Sequence, residues 1–171
     1  MVVWITGVSG SGKSTLATAC VERLRSAGHS AVLIDGDTIR EIVGDQLGHS
    51  HQERLTNAFR MSRLCRFLAA QGPIVFCATM SLFPEIWAWN RANIPGYFEV
   101  YLRVKPETVK TRDPKGIYRR AEQGLESNVV GIDLPLIEPS QPNLVIDNDG
   151  NNIDEQVTNI LKNVNSKSVL G

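Results

Sequence analysis

Apolar residues fall along this chain in two rhythms: short unbroken runs, and longer stretches in which they recur every third or fourth position. The first run, residues 2–6, is β-rich and passes straight into a glycine-rich turn, which is the pattern of a strand. From residue 13 to about residue 27, Leu16, Ala17, Cys20 and Leu24 keep helical spacing while Glu22, Arg23 and Arg25 take the other faces, and Gly28 follows as a stop. A second compact run at 31–34 completes strand, loop, helix, strand, the βαβ unit of a parallel sheet.

After Asp35-Gly36-Asp37, a polar stretch through Gly48-His49-Ser50 leads into a periodic segment at about 52–71, with Leu55, Phe59, Leu64, Phe67 and Leu68 as its apolar stripe. Residues 74–78 predict a third strand, 84–92 a helix carrying Trp87 and Trp89 as packing residues, and 97–104 a fourth strand in which Glu99 and Arg103 are exceptional. Between 113 and 142 the periodicity disappears and Gly, Pro and charge take over, which predicts a lid or binding segment. A short strand at 144–146 and a closing helix at 153–164 follow, with 165–171 expected to fray.

Length and composition narrow the class. A chain of 171 residues, 42% apolar, with 18 basic residues against 18 acidic, fits one α/β domain over 1–171 and not a binder of nucleic acid. Cys20, Cys65 and Cys77 form no paired motif and read as buried thiols. No apolar stretch reaches bilayer length and no leader pattern opens the chain, so no membrane contact is expected and the cytoplasm is the expected location. Charge is uneven only locally: residues 103–120 hold seven Lys and Arg against two acidic residues, a surface suited to phosphate.

The chemistry is carried by Gly7-Val8-Ser9-Gly10-Ser11-Gly12-Lys13-Ser14, a full GxxxxGK[ST] phosphate-binding loop set between a strand and a helix. Glycines there let backbone N–H groups turn onto phosphates, and the helix N-terminus adds positive potential. Lys13 is expected to bridge the β- and γ-phosphates of ATP, and the Ser14 hydroxyl to coordinate Mg²⁺. The fold expected is therefore the three-layer P-loop NTPase fold, a central parallel sheet flanked by helices with a lid loop. No guanine-reading Asn-Lys-x-Asp run is present, and the chain is short for a motor, so a small-molecule kinase fits best. Asp35 and Asp37 stand where open parallel sheets place ligands; one can steer Mg²⁺ and the other accept a proton from an attacking hydroxyl, or Asp-Gly builds only a turn. Cations on the loop around Lys115 can offset charge in the transition state.

Five runs in order, GVSGSGKST from Gly7 to Thr15, DGDTIR from Asp35, LGHSHQERLTN from Leu47, RDPKGIYRRA from Arg112 and Gly131-Ile132-Asp133, closely resemble adenylylsulfate kinase. That family phosphorylates the ribose 3′-hydroxyl of adenosine 5′-phosphosulfate. The resemblance implies ATP contacts from Gly7, Ser9, Gly10, Ser11, Gly12, Lys13, Ser14, Thr15 and Arg112, with Mg²⁺ at Ser14 and Asp35. It implies a catalytic, acceptor-orienting Asp37, a lid lysine at Lys115, acceptor contacts from Asp35, Arg40, Arg54, Asn57, Ser81, Gly131 and Ile132, and a homodimer.

The departures cluster on the acceptor side. Where the family sandwiches adenine between two aromatic rings, this chain has His49 and Val129, and the family's Ile-Ser-Pro becomes Met80-Ser81-Leu82. Losing two stacking rings costs base binding on the order of a few kcal/mol. The expected acceptor is thus a different 5′-modified nucleotide, and the chain resembles the cytidine diphosphoramidate kinases of bacterial capsule-modification pathways, a branch of the same family. Adenylylsulfate itself, an unrelated metabolite and a nucleotide-binding module without catalysis are the alternatives.

Overall fold

The computed structural model describes residues 1–44, 47–48, 50–150 and 152–168. In chain order the elements are β1 (Val2–Thr6), α1 (Lys13–Ser26), β2 (Ala31–Asp35), α2 (Gly36–Val43), α3 (His51–Ala69), β3 (Ile74–Thr79), α4 (Pro84–Asn93), β4 (Tyr97–Arg103), α5 (Pro106–Arg112), α6 (Ile117–Glu122), β5 (Leu144–Asp147) and α7 (Ile153–Ser168). The five strands form one sheet in the order β2-β3-β1-β4-β5, and every neighbouring pair is parallel. β1 is central and buried at all five positions, so its run is apolar on both faces instead of alternating.

Side chains leave β1 to opposite faces in turn. Val3 and Ile5 pack with Leu16 and Cys20 of α1, Phe76, Leu102, and Ile160 and Val164 of α7. Val2 and Trp4 pack on the other face with Met61 and Cys65 of α3 and Ile86 of α4. A third cluster, including Val8, Leu82, Tyr101, Val109, Tyr118 and Val129, lies beyond the strand ends. The expected three layers and central parallel sheet are observed.

Three features differ from the sequence pattern. The polar stretch after β2 opens with a helix, α2, whose N-cap is Asp35: its carboxylate accepts from the backbone N–H groups of Asp37 and Thr38 at 3.0 and 3.3 Å. The buried face of α3 is Asn57, Ala58, Met61, Ser62 and Cys65, while Leu55, Phe59, Leu64 and Leu68 are half-buried and Phe67 is 62% exposed. Small side chains bring α3 close to the sheet, and the larger apolar ones flank that seam. The 113–142 segment is also partly regular, since it contains α6.

Glu99 and Arg103 have separate structural explanations. Glu99 is fully buried and accepts from Arg91 at 2.7 Å and from the Tyr97 hydroxyl at 3.1 Å. Arg103 ends β4 and makes a two-point pair with Asp147 of β5, at 2.6 and 3.0 Å. Among the described residues no helix is long and apolar enough to cross a membrane.

Candidate active site

The register of the sheet builds the site. Thr6 of β1 aligns with Thr79 of β3, and Asp35 of β2 with Ala78, so the chain leaves three adjacent strands at one edge. There the loop from Gly7, the α2 cap and the Met80-Ser81 segment meet around a cavity of about 460 Å³. Both nonglycine constraints and glycine requirements are visible in the loop. A Cβ on Gly7 would lie 2.6 Å from the Leu102 carbonyl oxygen, and one on Gly12, whose φ is 92°, would lie 2.8 Å from Asn148 Nδ2. Gly12 is the left-handed N-cap of α1, which leaves the first N–H groups of that helix facing the cavity.

Lys13 folds back over its own loop, donating to the Val8 carbonyl at 2.7 Å and to Ser11 Oγ at 3.4 Å. Burial and, after it, the Lys115 charge push its ammonium down, against the opposing pull of Asp37 and Asp35, to about 8. Ser14 Oγ donates to Asp35 Oδ2 at 2.5 Å. Asp35 is thus divided: one oxygen caps α2 and the other holds the Ser14 hydroxyl. A hydroxyl beside a carboxylate is a hard-oxygen set of the kind Mg²⁺ takes when phosphates and waters complete its shell. No cluster of three or more His, Cys, Asp or Glu suited to a metal occurs among the described residues.

Across the cavity, Asp37 at the start of α2 pairs with Lys115 of the 113–142 segment. Lys115 is carried by a braced turn. Asp113 accepts from the backbone N–H groups of Tyr118 and Arg119 at 3.2 and 3.1 Å, Arg120 donates to the Lys115 carbonyl at 2.9 Å, and the Tyr118 hydroxyl donates to the Ser9 carbonyl at 3.0 Å. The last bond ties this turn directly to the phosphate-binding loop.

The remaining wall is cationic and prearranged. Arg40 donates to the Leu47 carbonyl at 2.9 Å, and Arg54, one turn into α3, donates to the Asn128 carbonyl at 2.7 Å. Burial lowers the Arg54 pKa, the neighbouring Arg40 charge lowers it further, and Asp133 and Glu126 pull it back. Two guanidiniums that close, held by neutral carbonyls, suit an anionic ligand. Asn128 sits at φ 63°, and Asp133 accepts from the N–H groups of Asn128 and Val129 at 2.6 and 2.5 Å, folding that segment into a tight turn against the cavity.

Of the residues singled out from sequence, Ser9, Gly10, Gly12, Lys13, Ser14, Thr15, Asp35, Asp37, Arg40, Arg54, Asn57, Met80, Ser81, Lys115 and Val129 line this cavity. Gly7 and Ser11 stand behind it as loop framework. Arg112 lies to one side, donating to the Asn148 carbonyl at 2.7 Å, while Asn148 donates to the Ser11 carbonyl at 2.8 Å. Gly131 and Ile132 belong to the tight turn and do not line the cavity. His49 lies outside the described residues. Thr79, Phe83, Tyr118 and Arg120 also line it, without having been assigned a role in the site from sequence.

A parallel sheet with a phosphate-binding loop between its central strand and α1, facing a second wall of cations and an acid, defines a P-loop phosphotransferase. The chain belongs to the adenylylsulphate kinase family, whose description fits residues 1–147. It is 36% identical over 162 residues to a cytidine diphosphoramidate kinase of Campylobacter jejuni, covering 94% of each chain. It is 36% identical over 156 residues to an adenylyl-sulfate kinase of Bacillus licheniformis, covering 90% of this chain and 79% of that one. The Mycobacterium tuberculosis APS kinase, solved with AMPPNP and APS, superposes with a TM-score of 0.90 at 34% identity, over 96% of each chain.

Proposed function

We propose that this protein transfers the γ-phosphoryl group of ATP to the ribose 3′-hydroxyl of a 5′-modified nucleotide. The observation that carries the proposal is one cavity with two facing walls: Lys13 and the Ser14–Asp35 pair on the donor side, and Asp37, Arg40, Arg54 and Asn57 on the acceptor side. The loop N–H groups and Lys13 hold the ATP phosphates. Ser14 and Asp35 would hold Mg²⁺, which when bound would neutralise charge on the phosphates. Asp37 accepts the proton of the 3′-hydroxyl as its oxygen bonds the γ-phosphorus and the bond to the departing ADP oxygen breaks. Lys115 then exchanges its Asp37 partner for phosphoryl oxygens, and the lid excludes water.

The acceptor we favour is cytidine diphosphoramidate. His49 and Val129 in place of the family's two rings support that choice, as does the similarity to the Campylobacter jejuni enzyme of that name. Adenylylsulfate is the second reading, supported by the relatives named adenylyl-sulfate kinases. ADP release from Mg-ATP is measured with each acceptor. Turnover is expected with cytidine diphosphoramidate and weak with adenosine 5′-phosphosulfate. The reverse ranking selects the second reading, and no turnover with either removes the proposal.

A further inference from the structure

Asn148, the first residue after β5, is hydrogen-bonded at every polar atom it has. Its N–H donates to the Arg103 carbonyl at 2.9 Å and its carbonyl accepts from Arg112 at 2.7 Å, which fixes its backbone to the ends of β4 and α5. Its side-chain Nδ2 donates to the Ser11 carbonyl at 2.8 Å, and its Oδ1 accepts from Gln156 Nε2 of α7, also at 2.8 Å. The Gln156 side chain belongs to a residue that is itself buried. One end settles the direction of this chain of amides. A carbonyl oxygen only accepts, so Ser11 requires the Nδ2 of Asn148, and the Oδ1 left over requires the Nε2 of Gln156.

Asn148 and the fully buried Ser11 stand behind the main cavity, whereas Gly12 lines it. In a trans peptide the C=O and the N–H point in opposite directions. With the Ser11 carbonyl held on Asn148 behind the loop, the Gly12 N–H is turned to the front, where the donor phosphates belong. Gly12 does not enforce that choice by itself. Glycine takes positive and negative φ about equally well, so the Ser11–Gly12 peptide can turn over at little cost, and turned over it presents a carbonyl oxygen to an anion. We propose that Asn148, oriented by Gln156, is a positioning residue for phosphoryl transfer, holding the Gly12 N–H toward the donor phosphates. The inference rests on the reading that this loop holds ATP, and it adds a clamp supplied from the other end of the chain.

Amide spectra of the nitrogen-15-labelled full protein, titrated with Mg-AMPPNP, test it. In the wild type the amide protons of Gly12, Ser14 and Thr15 are expected to move downfield as they bond phosphate oxygens. Asn148→Leu keeps the volume and offers no donor. In it the Gly12 shift is expected to fall to about half or less and the Mg-AMPPNP dissociation constant to rise about tenfold, while Ser14 and Thr15, fixed by α1, keep their shifts at saturation. A loss of packing alone moves all three together. Gln156→Met leaves Asn148 in place without its orienting bond and is expected to weaken Mg-AMPPNP about threefold; it decides the matter if Asn148→Leu does not fold. A Gly12 shift undiminished in Asn148→Leu, equal losses at all three amides, or unchanged affinity in Gln156→Met overturns the inference. Phosphoryl transfer is read separately, as ADP release. A wild type that turns over no acceptor removes the proposed reaction and leaves the clamp. Turnover with the same kcat/KM for ATP in the wild type and in Asn148→Leu keeps the reaction and removes the positioning role.

Discussion

Asp37 and Lys115 illustrate how charges that await substrate behave without it. Their side chains are 71% and 51% exposed and pair with each other across the cavity mouth. Exposed pairs are worth at most about 1 kcal/mol, so a phosphoryl group displaces the contact at little cost. Replacing Asp37 by Asn removes the proposed proton acceptor and keeps the shape. Asp37→Asn is expected to bind Mg-AMPPNP as the wild type does and to lose about 10²–10⁴-fold in turnover; undiminished turnover would take the catalytic role from Asp37. At this scale the donor side was legible because phosphate binding fixes residue types at consecutive positions, Gly7 to Ser14. Tyr118 and Asn148 were not, because each acts through a bond to the loop, at Ser9 and Ser11, from more than a hundred residues away. The second duty of Asp35, capping α2 while holding Ser14, also depends on a helix that the local pattern concealed.

The element that presents the acceptor wall is α3, and its start is strongly specified. Ser50 and Glu53 form a reciprocal capping box, and Glu53 also accepts from the Gly48 N–H at 2.9 Å. Arg54 and Asn57 follow within the next turn, so the cap sets where both side chains point. Ser50→Ala is expected to cost about 1 kcal/mol, seen as a lower urea midpoint at unchanged slope; a midpoint equal to that of the wild type would show that Glu53 holds the helix end alone. Helix existence was legible for α1, α3, α4 and α7 from three- and four-residue spacing. The buried side of α3 was not, since Ala58, Ser62 and Cys65 carry too little apolar area to outweigh Phe59 and Phe67 in a periodicity, and only packing against the sheet reveals them. α2 escaped because Asp-Gly-Asp reads equally as a turn and as a helix start.

Across the whole molecule, one network centred on the buried Glu99 joins the sheet to the end of the 113–142 segment. Arg91 of α4 reaches Glu99 in β4 and donates to the Gln141 carbonyl at 3.2 Å, while the Glu99 N–H donates to Asn143 Oδ1 at 2.7 Å and the Glu99 carbonyl accepts from the Asn143 N–H at 2.9 Å. Burial raises the Glu99 pKa above its ordinary 4.5, and Arg91 and the Tyr97 hydroxyl pull it back. A raised carboxyl pKa means the folded state holds the proton more tightly than the unfolded state, so stability falls as pH rises through that window. Arg91→Met widens the window by leaving Glu99 unpaired. The variant is expected to lose roughly 3 kcal/mol near neutral pH and distinctly less near pH 5, by denaturant titration. An equal loss at both values would mean that Glu99 is already neutral in the wild type. The fold class was legible at this scale from strand and helix alternation, whereas strand order was not, because it is decided by which crossovers pack. That order has a consequence for synthesis on the ribosome. β1 emerges first but finds its two neighbours only at Val75 and Tyr97 and beyond. The nascent chain must therefore carry this buried central strand without β3 until residue 79 has been made and without β4 until residue 101, an interval in which a holdase can bind Trp4 and Ile5.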